Sequence, residues 1–444
     1  MRRLLIGGTH SGCGKTTVTC AVLKALCDRG LKVSAFKCGP DYIDPMFHKN
    51  VIGVDSHNLD SFFCDENTLR FLLNEYAADI SIIEGVMGYY DGVNGRGSAH
   101  SVSLITETPS VLVINCRGMS DSLGAAASGF LNYRKNNIKG VIFNELPERL
   151  ESSVRNICGE LGTEYLGRFP RCGFTFDSRH LGLVTPGEMT DIREKLSKLG
   201  ELAERFLDID KIVEISDSKE LSFNDPVFPK LNLSASPIIA VSEDSAFCFR
   251  YAENLDLLRK LGCTIKKFSP LEDSSVPKCD GLILCGGYPE LYAERLFSNA
   301  DMLRSVRGVI ESGTPTIAEC GGFMYLHERF VDNSGTEYKG VGIIKGSVRK
   351  TDKLQRFGYA ELISKRDDLL CRQGGSMRVH EFHYWNSDNA GCDLIARKAD
   401  GREWECVHCN DNLYAGFPHL YLYSDIKLAE RFIRKAAVFR EGAK

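Results

Sequence analysis

Between a short apolar run, Leu4-Leu-Ile-Gly-Gly8, and a helical pattern from Thr16 to Arg29, the chain places Gly8-Thr-His-Ser-Gly-Cys-Gly-Lys-Thr-Thr17. A glycine-rich turn that leads from a buried strand into a helix constrains the fold more than any other feature of this sequence. Successive backbone N–H groups and the helix N-terminus make such a turn a cradle for phosphate. Lys15 adds a point charge, and the Thr16 hydroxyl suits Mg²⁺. The expected nucleotide-binding residues are Ser11, Gly12, Gly14, Lys15, Thr16 and Thr17. The loop departs from the strict GxxxxGK[ST] pattern, because Thr9 stands where the first glycine belongs.

The segments after this loop have the same character. Val33-Ser-Ala-Phe36, Ile80-Ser-Ile-Ile83, Ser110–Asn115 and Gly140–Asn144 read as buried strands separated by helical stretches. That alternation predicts a parallel, doubly wound α/β sheet. Asp208 to Ser236 is polar, acidic and Pro-containing, and reads as a linker over 208–235. Beyond it the pattern restarts. Pro237–Val241, Asp280–Cys285 and Thr314–Glu319 read as strands, and Tyr251–Leu261 and Met302–Ser312 as helices. The expected organisation is a first α/β domain over 1–207 and a second over 236–444.

In open α/β sheets ligands bind beyond the carboxyl ends of the strands. Three polar segments fall there and face the phosphate loop: Lys37-Cys-Gly-Pro-Asp41-Tyr-Ile-Asp44-Pro45, Glu84-Gly-Val-Met-Gly-Tyr-Tyr-Asp91, and Asn144. Their oxygens suit Mg²⁺ and a polar substrate.

The second half carries a different chemistry. Ala318-Glu-Cys320-Gly-Gly follows a β-rich run and precedes a helical pattern at Phe323, Met324 and Leu326. A sharp strand-to-helix turn exposes a nucleophile, and the following backbone N–H helps hold an oxyanion. A thiol there is activated by the helix N-terminus and needs a base. His419, in Gly416-Phe-Pro-His419-Leu-Tyr421, is the candidate base. Gly287, in Gly286-Gly-Tyr-Pro-Glu290, and Gly321 are the candidate oxyanion donors.

Composition narrows the setting. The formal net charge of −4 gives no ground for a nucleic-acid or anionic-membrane partner. No apolar run reaches the roughly 20 residues of a membrane span. The 17 cysteines are scattered and no secretory signal precedes them, which fits a cytoplasmic protein. Cys406-Val-His-Cys409 lacks the second pair a zinc site needs and reads as packing.

Together these motifs resemble the cobyrinate and cobyric acid synthase family, and within it the cobyrinic acid a,c-diamide synthases. The resemblance runs almost end to end. It rests on the Gly8–Thr17 loop, Phe36-Lys-x-Gly-Pro-Asp-Tyr-Ile-Asp-Pro45, Glu84-Gly-Val-Met-Gly88, Tyr90-Asp-Gly92 and Arg179-His-Leu-Gly-Leu183. Asp244-x-Ala-Phe-x-Phe249, Gly286-Gly-Tyr-Pro-Glu290, Glu319-Cys-Gly-Gly322 and His380-Glu-Phe-His383-Tyr384 complete it. It implies a P-loop, dethiobiotin-synthetase-like domain joined to a class I glutamine amidotransferase-like domain. The implied reaction uses ATP, Mg²⁺ and glutamine to amidate the a and c acetates of cobyrinic acid, a carboxylated tetrapyrrole, through an acyl phosphate. In that scheme Thr16, Glu84 and Asp91 organise Mg²⁺. Lys37, Asp41, Tyr42 and Asp44, with His380 and His383, meet substrate. An interdomain path for ammonia and a monomer or homodimer are expected.

This sequence departs from the family at three places. Tyr421 replaces the second His of a His-x-His-Phe motif, while Val379 and Trp385 replace a Gly and a Ser around His380–Tyr384. The Glu that usually follows a class I catalytic His by two residues is absent, so the sequence leaves the partner of His419 open. Two alternatives share much of the pattern: a nickel-sirohydrochlorin a,c-diamide synthase, and, more distantly, a P-loop regulatory ATPase with an inactive amidase-like domain. A carbon-dioxide-using ligase would leave the second domain without a purpose.

Overall fold

Seven strands form the first sheet, and the central ones are apolar over most of their length, as expected of strands buried on both faces. They are β1 (Arg2–Gly8), β2 (Val33–Cys38), β3 (Ser56–Leu59), β4 (Ile80–Glu84), β5 (Ser110–Asn115), β6 (Ile138–Asn144) and β7 (Glu164–Phe169). All neighbours are parallel, in the order β3-β2-β4-β1-β5-β6-β7. The computed structural model describes residues 1–173, 186–233 and 235–442. The Arg179–Leu183 motif lies outside the described residues.

Helix α1 (Lys15–Asp28) starts directly after the glycine loop. Val18, Ala21, Val22, Ala25 and Leu26 are buried in a core shared with β1 and with the helix Pro186–Phe206, through Leu196, Leu199 and Ala203. The register of β2 and β4 sets Lys37 opposite Glu84 at their carboxyl ends. The sequence therefore brings a lysine and a glutamate from distant segments to one point beside the loop.

The chain divides into two compact units, Met1–Pro226 and Val227–Lys444, a division that falls inside the stretch expected as a linker. The beginning of that stretch is ordered structure instead. Asp208 caps a helix over Ile209–Ser216, accepting from the Lys211 amide at 2.9 Å, and Ile209 and Ile212 join the core of the first unit. An acid at an N-cap reads as linker polarity in sequence, and here it starts a helix.

The second unit is built on β8 (Ile238–Ser242), β9 (Thr264–Phe268), β10 (Gly281–Leu284) and β11 (Thr316–Glu319). Three strands of a small sheet follow, β12 (His327–Val331), β13 (Glu337–Lys339) and β14 (Ile344–Lys350). Next come β15 (Arg356–Ser364), β16 (Ser376–His383), β17 (Trp385–Ser387), β18 (Leu394–Arg397) and β19 (Glu403–Cys406). The last strands are β20 (His408–Cys409), β21 (Leu413–Gly416) and β22 (His419–Leu420). The central sheet runs β20-β21-β11-β10-β8-β9 and is parallel except at β20. An antiparallel sheet, β19-β18-β15-β16-β22, ends on the strand that carries His419. The unit is therefore more β-rich than its sequence suggests. Among the described residues no helix is long and apolar enough to cross a membrane, and every cysteine is a free thiol.

Candidate active sites

The first unit forms its site where β1, β2 and β4 end. Gly12 and Gly14 turn the loop with φ of 79° and 97°, values that disfavour any side chain. Close approach excludes side chains as well. A Cβ on Gly8 would lie 2.3 Å from the Cys13 sulfur, and one on Gly14 would lie 2.1 Å from Asn144 Nδ2. Asn144 instead donates to the Cys13 carbonyl at 3.0 Å and holds the loop in shape. Lys15 folds back over the loop, and its Nζ donates to the His10 carbonyl at 3.1 Å. Burial lowers its pKa, and the nearby charge of Lys37 lowers it further.

Beside the loop stands a buried charged cluster. The Thr16 hydroxyl donates to Glu84 Oε1 at 2.6 Å. Lys37 Nζ donates to the same oxygen at 2.9 Å and to Asp44 Oδ2 at 2.5 Å, with Asp41 Oδ2 3.9 Å away. Asp41 Oδ1 accepts from the Ile43 amide at 2.8 Å and so shapes the turn that presents Asp44. His48, which the sequence did not single out, sits behind the cluster. Its Nε2 is 3.4 Å from Glu84 Oε2, and its Nδ1 is 3.1 Å from Ser56 Oγ. Burial works to raise the Glu84 pKa, but Lys37, His48 and Thr16 outweigh it and hold the carboxylate far below its usual range. Lys37 is held charged in spite of burial by Asp44, Glu84 and Asp41. Tyr42 is buried within the same turn.

Asp91 is placed differently. It is exposed, and its Oδ2 accepts from the Gly88 amide at 2.8 Å. Its turn is fastened to the phosphate loop, because the Tyr89 amide donates to the Gly8 carbonyl at 2.7 Å. The donor set of Thr16, Glu84 and Asp91 is all oxygen, which fits a hard cation such as Mg²⁺. Glu84 Oε2 is buried and faces His48 Nε2 at 3.4 Å, while Oε1 already accepts from Thr16 and Lys37. Among the described residues no three acidic, His or Cys side chains form a metal cage by themselves.

The second unit forms its site where β10, β11 and β22 meet. Cys320 follows β11 with φ 46° and ψ −102°, a strained conformation for a residue with a side chain. The strain is held by the Cys320 amide, which donates to the Gly416 carbonyl at 2.8 Å, and by the helix Gly321–Tyr325 that begins at once. Two glycines allow the turn to nest against β10. A Cβ on Gly321 would come 2.9 Å from the Gly287 nitrogen, and one on Gly322 would come 2.3 Å from the Leu284 carbonyl oxygen. The Gly287 amide thus stands beside the residue that follows Cys320, the arrangement expected of two oxyanion donors.

His419 is buried and hydrogen-bonded to the Cys320 side chain. Its Nδ1 lies 3.5 Å from Glu319 Oε2. Burial pulls its pKa down, but Cys320 and Glu319 outweigh that and raise it to about 10. The imidazole packs on a bare backbone: a Cβ on Gly286 would meet its Cε1 at 2.5 Å.

His380 pairs with His419 across β16 and β22. Burial, then the charge of His419, pushes its pKa down to about 3, so it is neutral. His383 has both ring nitrogens engaged, Nδ1 with the Trp385 carbonyl at 2.6 Å and Nε2 with Glu381 at 3.1 Å. Its ring stacks on Phe417 with centroids 3.9 Å apart. Both histidines of the His380–His383 motif therefore belong to the second unit, with His380 directly opposite His419. Trp385 hydrogen-bonds Glu290, whose carboxyl is pushed up to about 7 chiefly by burial.

The chain matches two family models, one in each unit. Residues 4–173 match the CobQ/CobB/MinD/ParA nucleotide binding domain, and residues 238–426 match the CobB/CobQ-like glutamine amidotransferase domain. A protein of Priestia megaterium named cobyrinate a,c-diamide synthase is 38% identical over 448 residues, covering 98% of this chain and 97% of its own length. Proteins of the same name from Listeria innocua and Fusobacterium nucleatum are 37% and 38% identical. They span 96% and 97% of this chain, and 97% and 99% of their own lengths.

Proposed function

The chain belongs to the family of cobyrinate a,c-diamide synthases, and we propose that it converts the a and c acetate carboxylates of cobyrinic acid into amides, using ATP and ammonia drawn from glutamine. The observation that carries this reading is the presence, in one chain, of a phosphate loop with its Thr16–Glu84–Lys37 cluster and of a thiol on a strained turn, hydrogen-bonded to a histidine.

In the second unit Cys320, as thiolate, attacks the carboxamide carbon of glutamine. The Gly287 and Gly321 amides receive the oxyanion. His419, protonated at rest, gives its proton to the departing ammonia. A glutamyl thioester remains on Cys320, and water, deprotonated by His419, releases glutamate. In the first unit the loop amides from Ser11 to Thr17 and Lys15 hold the triphosphate. Thr16, Glu84 and Asp91 would hold Mg²⁺, which offsets phosphate charge when bound. The γ-phosphoryl passes to a substrate carboxylate, an acyl phosphate forms, and ammonia displaces phosphate. Activation is needed because a carboxylate is a poor electrophile. The step asks the protein chiefly for positioning and charge neutralisation. Lys37, Asp41, Tyr42 and Asp44 adjoin that position and supply one cation and two acids for the macrocycle and the incoming amine.

The test is a mass measurement of the product formed from cobyrinic acid, with ATP and glutamine, run beside nickel-sirohydrochlorin. Two amides on cobyrinic acid support the proposal. Amidation of the nickel ring alone would transfer the same chemistry to the other macrocycle, and ATP turnover without an amide would favour the regulatory ATPase.

A further inference from the structure

We propose that Glu319 is the positioning residue of the glutamine site, taking the part of the acid that this chain lacks after its histidine. The proposal rests on the Cys320–His419 reading given above. Two residues beyond His419, where an orienting carboxylate would be looked for, stands Tyr421. It is fully buried and packed edge-to-face on Tyr251, with ring centroids 4.8 Å apart. That position supplies no charge.

Glu319 reaches the same ring from another strand. It is the last residue of β11, one before the nucleophile, and its partner across the sheet is Gly416 of β21. From there its buried carboxylate meets β22 with both oxygens. Oε1 accepts from the Leu420 amide at 3.1 Å, and Oε2 lies 3.5 Å from His419 Nδ1. One carboxylate thus fixes the backbone beside the histidine and faces its ring. On one side the ring is backed by the Gly286 backbone. Catalytic hydrogen bonds are commonly long in unliganded sites and tighten with substrate, so 3.5 Å suits a contact completed on glutamine binding.

The chemistry follows from which nitrogen carries the proton. With a carboxylate at Nδ1, the neutral imidazole keeps its proton there, and the other nitrogen stays available to the Cys320 sulfur. When the ring is protonated, the same carboxylate offsets its charge. The titratable groups facing the ring are Cys320 and Glu319, from the turn and from β11, and His380, from β16. His380 is neutral, so Glu319 is the carboxylate that answers the imidazolium.

Glu319→Gln separates this role from simple packing. The glutamine can still accept from Leu420, but its amide N–H would donate to Nδ1 and drive the ring proton to the nitrogen that faces sulfur. The expected result is a loss of glutamine-dependent kcat/KM on the order of 10²-fold or more, with ammonia-dependent amide synthesis retained. The pH profile of Cys320 alkylation by iodoacetamide should also change. Its upper limb reports loss of the His419 proton, and removing the negative charge moves that limb to lower pH. Glu319→Asp should recover part of the glutamine activity. Wild-type kcat/KM and an unmoved alkylation profile in Glu319→Gln would overturn the proposal, as would equal losses with glutamine and with ammonia. Cys320→Ser tests the underlying reading separately: if that variant still used glutamine, the nucleophile assignment would fail whatever Glu319 does.

Discussion

Replacing Gly286 by alanine adds one methyl group, and the structure says where it goes. The new carbon would lie 2.5 Å from His419 Cε1. Ordinary carbon–carbon contacts are about 3.5–4.0 Å, so the ring or the backbone must give by roughly 1 Å. The backbone is poorly able to retreat. The Phe249 amide donates to the Gly286 carbonyl at 2.9 Å, and a Cβ on the next residue, Gly287, would come 2.1 Å from the Ala246 carbonyl oxygen. The imidazole must therefore leave the position in which it meets Cys320 and Glu319. A misplacement of about 1 Å at a reacting group costs on the order of 10²-fold, which is about 2.7 kcal/mol of transition-state stabilisation. The assay is amide formation with glutamine and, separately, with ammonium chloride at high concentration. Gly286→Ala should lose about 10²-fold in kcat/KM for glutamine and keep its ammonia-dependent rate. Full glutamine activity in the variant would refute the reasoning, because it would mean that the position of this ring does not limit the reaction.

The other predictions concern single groups. Cys320→Ala should abolish glutamine-dependent synthesis and retain synthesis from free ammonia; equal loss of both, measured as product mass, would make Cys320 structural. Lys15→Ala should remove ATP turnover with either nitrogen source, read as phosphate released, and unchanged turnover would remove the nucleotide site from this loop. Lys37→Met should destabilise the first unit by about 3–5 kcal/mol, because it leaves Asp44 and Glu84 buried without their shared cation. Hydrogen exchange of the Ile80–Glu84 strand reports this, and added Mg²⁺ should restore part of the protection.

The sequence carried the local geometry of both sites and little of what joins them. Gly12, Gly14, Lys15 and Thr16 are legible because a phosphate loop is contiguous, and Cys320 is legible because its elbow is contiguous. The Lys37–Glu84 pair is not, since it depends on the register of β2 against β4. Glu319 is not legible for a related reason. Sequence reasoning looks for the acid after His419, while the sheet delivers one from beside Cys320. His48 carried no signal, because a histidine at the start of a short irregular helix resembles many surface histidines. The strands from β12 to β22 were hidden by broken alternation. In β16, Val379, His380, Glu381 and His383 are all buried, so polar residues occupy positions that a half-buried strand gives to apolar ones.

The two sites keep their charges in different states, and this bears on which must rearrange to work. At the glutamine site the thiol already has its base, and the base already has a carboxylate, so substrate can enter without an exchange of partners. At the nucleotide site the charges are cancelled among the side chains. Thr16 and Lys37 both donate to Glu84 Oε1, Lys37 also holds Asp44, and Lys15 is folded onto the His10 carbonyl. A triphosphate and its cation need Lys15, Thr16 and Glu84, so at least three of these contacts must break before the ligand is held. A buried charge released from its partner is costly unless another replaces it at once. Nucleotide and cation together supply both replacements, the anion for Lys15 and the cation for Glu84, whereas either alone leaves one of them unanswered. The geometry thus favours joint binding of the two, with the charge cluster reopening around them as a unit.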